Sequence, residues 1–150
     1  MRSYSILLAA LMCLHLCGCG GVPPMVPVSG VVTVDGKPMA HVQVGFLPDT
    51  EEFDPTRHGS GLGVTDAQGN YVVKNAAGQE GLWPGKYKVT FTLMVDKLKK
   101  QPLPYDAKPS EVPGGVTNML PTRYELPGST PESVAVPAAG LKKDFALAGK

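Results

Sequence analysis

Beyond position 19 the 150-residue chain contains no cysteine; its three, Cys13, Cys17 and Cys19, all lie near the start. No disulfide can therefore staple the body of the chain, and the paired-cysteine spacing of a structural zinc site has no place there. Charge is scarce and balanced, with 14 Lys+Arg against 13 Asp+Glu making up 18% of the residues. A nucleic-acid partner, which asks for a basic face, is not expected. The apolar run from Ile6 to Leu16 is too short for a membrane-crossing helix, which needs ~20 residues. Helix continuity is equally lacking, because 18 glycines and 15 prolines interrupt the chain. That many breakers exclude a long helical bundle.

What the beginning does contain is an address. Arg2 is the only charge before Asp35, and small residues follow the apolar run, as in a secretory signal peptide. Leu16-Cys17-Gly18-Cys19 resembles the bacterial lipobox, with Leu three before and Gly one before the acceptor cysteine. The resemblance implies cleavage after Gly18 and a diacylglyceryl thioether, with further acyl chains such as palmitate, on Cys19. A thiolate is the nucleophile such a transfer needs. Residues 1–18 then form the signal peptide, 19–27 a lipidated Gly/Pro tether, and 28–150 the folded domain. Losing Arg2 leaves thirteen basic and thirteen acidic side chains, so the lipid has to hold the membrane.

From Val28 the dominant period is two. Val28, Gly30, Val32 and Val34 alternate with Ser29, Val31 and Thr33; Ala40, Val42, Val44 and Phe46 alternate with His41, Gln43 and Gly45. Tyr87, Val89, Phe91 and Leu93 form the longest such stripe. Strands with one buried face read this way. Weaker strands are expected over 62–65, 70–74, 122–126, 133–136 and 143–147. Asp35-Gly36 and Asp66-Ala-Gln-Gly69 carry hairpin and turn chemistry. Segments 48–60 and 96–121, rich in proline and charge, read as exposed loops without regular structure. The expected class is all-β, an antiparallel sandwich.

Three motifs then sharpen the expectation. They are Ser29-Gly-Val-Val-Thr-Val-Asp-Gly-Lys-Pro-Met-Ala-His-Val-Gln-Val-Gly-Phe46, Thr65-Asp-Ala-Gln-Gly-Asn-Tyr71 and Pro84-Gly-Lys-Tyr-Lys-Val89. In this order they resemble carboxypeptidase regulatory-like domains, and the tail from Leu120 to Leu147 is similar to small bacterial lipoproteins built on that domain. The resemblance implies a prealbumin-like (transthyretin-like, Ig-like) sandwich of about seven strands that does no chemistry of its own. Cross-linking by a lysine of the first strand is not expected, since Val28–Val34 has none.

Candidate chemistry is sparse. His41 reads as a solvated residue on a strand's polar face, and His58-Gly59-Ser60 lacks the G-x-S-x-G elbow of a hydrolase. Asp49, Glu51, Glu52 and Asp54 lack calcium-loop spacing, and Lys97, Lys99 and Lys100 read as a wet edge that could touch anionic polymers. No metal and no cofactor is expected. Phe46, Tyr71, Tyr87 and Phe91 point inward by alternation, leaving Trp83, Tyr105 and Tyr124 as candidates for stacking on sugar rings. The leading expectation is a non-enzymatic, lipid-anchored cell-envelope protein with a structural or protein-interaction role. A carbohydrate-binding module is the alternative, and a hydrolase ranks last.

Overall fold

A computed structural model describes residues 23–150. Its strands are β1 (Val28–Val34), β2 (Lys37–Pro38), β3 (Gln43–Pro48), β4 (Gly61–Val64), β5 (Asn70–Val72), β6 (Lys74–Asn75), β7 (Gly85–Thr92), β8 (Met94–Asp96), β9 (Val116–Asn118), β10 (Ser133–Val136), β11 (Leu141–Lys142) and β12 (Phe145–Leu147). In one sheet β1 is the hub, pairing antiparallel with β2 and β5 and parallel with β11 and β12. The other sheet runs β10-β7-β3-β4-β6 and is antiparallel throughout. A separate hairpin joins β8 to β9.

The period of two does what the pattern predicts. Val28, Gly30, Val32, Val34, Val44, Phe46, Tyr87, Val89 and Phe91 are all buried, while the residues that alternate with them are not. Aromatic rings fill the middle: Phe91 meets Phe145 edge-on at 4.9 Å and Tyr124 at 5.9 Å, and Phe46 lies 6.3 Å from both Tyr71 and Tyr87. Two buried tyrosines spend their hydroxyls on backbone carbonyls, Tyr71 on Lys143 and Tyr87 on Trp83. Burial pushes both phenols above their ordinary range, so they stay neutral donors.

The turn motifs have equally plain tasks. Asp35 and Gly36 both take positive φ, 50° and 78°, as a two-residue hairpin turn requires. Buried Thr65 donates to Met39 O and accepts from Val42 N–H, clamping the bend before β3. Asp66 accepts from the side-chain amide of Asn70 and from the backbone N–H groups of Asn70 and Gln68, and this holds its carboxyl below the usual range.

Several expectations are corrected. The strand expected over Ala40–Phe46 starts only at Gln43, because His41 sits in a left-handed turn (φ 64°) that aims its N–H at Thr65 O. Segment 70–74 divides: β5 joins the β1 sheet, β6 joins β4, and buried Val73 crosses between the layers. The strand expected over 122–126 is a 3₁₀ turn, Thr122–Tyr124, since Pro121 and Pro127 bracket it and neither can donate to a ladder. Pairing of β1 with the C-terminal strands is parallel, a departure from an all-antiparallel sandwich. The tether is shorter than expected at its far end: Val26 is buried and bridges Leu82, so ordered structure begins before residue 28.

The largest correction concerns 96–121, expected to lack structure. Proline does bar a central strand there, yet β8 runs into it at Asp96, and its partner β9 and a 3₁₀ turn at Pro109–Glu111 form inside it. Side chains supply what the ladder lacks. Asp96 accepts from the N–H groups of Leu98 and Lys99, and Asn118 accepts from those of Leu93 and Leu120. Buried Val95 and Leu120 anchor the hairpin to the core.

Candidate functional site

Strand register gives the molecule two distinct ends. At the first, Val26 pairs with Leu82 just before β1, and the loop after Pro48 returns through Gly59 onto the ring of Trp83. At the second lie the Asp35-Gly36 turn, the β8–β9 hairpin and the C-terminal residues: Gly149 N–H reaches Asp35, and Lys150 N–H reaches Met119 O. The two loops that read alike in sequence, 48–60 and 96–121, thus leave the sandwich at opposite ends, and Tyr105 of the second reaches back along the sheet to a recess shared with Ser60 of the first.

Cys19, the expected lipidation site, lies outside the described residues. The three aromatic candidates do not assemble. Tyr124 is buried against Phe91 and has no free face, and half-buried Trp83 is occupied at the first end, where a Cβ added to Gly59 would come 2.6 Å from its ring. Tyr105 alone is open, 55% exposed, and it borders two recesses on the outer side of the β7–β3–β4 sheet. One contains Gln43, Asp106 and Val116, the other Ser60, Lys74 and Asn75.

The two histidines among the described residues serve local geometry. His58 Nδ1 accepts the N–H of Asp54, whose carboxylate in turn accepts from the hydroxyl and then the N–H of Thr56 and is thereby shifted below the ordinary range. His41 shapes the turn described above. Of the acidic loop, Asp49 pairs with Lys88 and Asp54 with Arg57. Among the described residues no group of three or more His, Cys, Asp or Glu comes together as a metal would require. No helix among them is long and apolar enough to cross a membrane.

At the second end the picture is different. Asp96 is buried, and its bonds from the N–H groups of Lys99 and Leu98, with the Lys99 ammonium nearby, keep its carboxyl low. This cap shapes a tight turn carrying Lys97, Leu98, Lys99 and Lys100, the last at a φ of 57°. Leu98 stands out, 72% exposed, against Gly114, where a side chain would collide with it. Next to this turn a recess of about 270 Å³ is lined by Val95, Met119, Thr117 and Asn118, with Lys100 and Lys150 at its rim. Composition alone could not single out Leu98 or Lys150. One lies in a segment that reads as loop, and the other joins it only through the fold.

No family model, curated protein or solved structure matches this chain. The site is therefore read on its chemistry alone.

Proposed function

We propose that the protein is a non-enzymatic, lipid-anchored component of a cell envelope whose single sandwich domain, prealbumin-like and of the carboxypeptidase regulatory-like kind, presents a surface to a partner protein. The observation that supports this reading best is the match between Leu16-Cys17-Gly18-Cys19 and the place where the chain joins the fold. Between Cys19 and Val26 the chain reaches at most about 25 Å. A lipid on Cys19 therefore draws the Trp83 end toward the bilayer and leaves the β8–β9 end facing away. Held by two or more acyl chains, the anchor needs no basic patch beside the membrane.

The decisive experiment is intact-mass spectrometry of the detergent extract. The wild-type protein is expected to carry diacylglycerol on Cys19 and to sediment with membranes, and Cys19→Ala to remain unprocessed. A mature chain without lipid would reduce the reading to an ordinary secreted protein.

Tyr105 favours one second reading, a weak saccharide site. An open aromatic ring between two polar recesses suits the apolar face and hydroxyl rim of a sugar. If so, retardation of the protein in gels containing a soluble polysaccharide disappears in Tyr105→Ala and survives in Tyr124→Phe. Unaltered mobility of the wild type across neutral and acidic polysaccharides would dismiss it.

A further inference from the structure

We infer that the turn Lys97–Lys100, together with the recess floored by Val95 and Met119, docks an acidic polypeptide segment that carries an apolar side chain. The inference rests on the display reading above and names the chemistry of its partner.

Three observations at one place carry it. The first is unspent positive charge. Lys97, Lys99, Lys100 and Lys150 form no ion pair within the described residues; Lys37, Lys86, Arg123, Lys142 and Lys143 form none either, but here four such cations share one turn and the recess beside it. Of the carboxylates nearby, Asp35 and Asp96 are committed to backbone N–H groups, Asp96 beneath the turn itself, Glu125 accepts from the side-chain amide of Asn118, and Asp106 borders the separate recess beside Tyr105. The unpaired Glu51 and Glu52 belong to the loop at the opposite end. The second is Leu98, the most exposed large apolar side chain among the described residues, placed at the apex between lysines. Water gains nothing from it there, while a partner that covers it gains the burial. The third is rigidity. The buried Asp96 cap and the bond from Lys100 N–H to Asp96 O hold the turn in shape, so little ordering entropy opposes binding.

These features also select among occupants. A small anion would want an enclosed nest of donors, and the lysines here are spread over an open turn and a rim. Only a multivalent ligand collects such dispersed charge. A purely charged polymer would ignore Leu98 and the apolar floor. An acidic polypeptide uses both, with carboxylates on the ammonium groups and one apolar side chain against Leu98 or in the recess.

The test uses the full chain in detergent and fluorescein-labelled peptides of about twelve residues, read by anisotropy. One peptide is rich in Glu and Asp with two leucines, a second has serine for leucine, and a third has lysine for the acids. Long-chain polyphosphate is the charge-only competitor. The acidic leucine peptide is expected to bind, about tenfold more tightly than its serine counterpart, and the lysine peptide not at all. Binding should weaken about tenfold when salt is raised from about 50 to about 300 mM. Leu98→Ser, and separately Lys99→Glu with Lys100→Glu, should each lower affinity about tenfold, while Lys86→Glu on the far part of the sheet should not. Equal binding of the serine peptide, or polyphosphate binding indifferent to Leu98→Ser, would overturn the inference in favour of a charge-only patch. No binding by any peptide would overturn it outright. The peptide comparisons and salt series need no mutant, so a variant that failed to fold would not rescue the idea. Lipidation is scored separately by mass: a lipidated chain that ignores the peptides defeats only this inference, and a peptide-binding chain without lipid defeats only the anchor.

Discussion

Gly30→Ala is expected to destabilise the protein by about 3–5 kcal/mol, although it adds a single methyl group. A Cβ on Gly30 would stand 1.8 Å from the carbonyl oxygen of Lys143 and 3.0 Å from the ring of Tyr71. That oxygen is backbone and already accepts the hydroxyl of Tyr71, so it cannot rotate away. The local reason is the break between β11 and β12. Where Lys143 and Asp144 leave the ladder, the Asp144 carboxylate takes the N–H of Val31 and the chain presses against β1. Relieving the clash means parting the first and last strands. Gly128→Ala is the matching control, since an added Cβ there meets nothing within 4 Å, and it should stay within about 0.5 kcal/mol of wild type. Urea melts of the two variants give the comparison. A small loss for Gly30→Ala would mean that β1 and the C-terminal strands are less closely apposed than described.

Phe91→Ala should cost about 3–5 kcal/mol, the range for removing a buried aromatic ring. Phe91 is fully buried and packs edge-on against both Phe145 and Tyr124, so its loss opens a cavity that two other rings border. Collapse into that space is opposed by Tyr124, which the 3₁₀ turn at Thr122–Tyr124 holds in place. Gln43→Ala, on the outer face of the neighbouring strand, should change stability by less than about 0.5 kcal/mol. Similar losses for the two would mean that both faces of the β7–β3 pair are covered.

Much of this architecture is legible along the chain, and the reason is local. The stripe Tyr87, Val89 and Phe91 declares its inward face because a strand repeats every two residues, whatever it packs against. Asp35-Gly36 declares a hairpin because few residue pairs tolerate two successive positive φ angles. Asp66 and Gly69 are readable for a like reason, since the Asp66 carboxylate takes N–H groups of Gln68 and Asn70 and the Asp66 carbonyl takes that of Gly69, all within four residues. Segment 96–121 was misleading because proline content reports only which backbone bonds are barred. It is silent about Asp96 and Asn118, whose side chains replace those bonds from within the segment itself.

The sequence by itself determined the Leu16-Cys17-Gly18-Cys19 motif on which the proposed anchor rests, the strand periods, the turn residues and the balance of charge. Each depends on covalent order or on neighbours a few positions away. Only the tertiary structure decided which ends these pieces occupy. It set Tyr124 in the core and Tyr105 outside, divided 70–74 between two sheets, and brought Lys150 to the rim beside Lys100. Those placements come from packing two sheets face to face, where a residue's neighbours are chosen by register and layer across a hundred positions of chain. No window along the sequence contains both partners, so no local pattern can announce them.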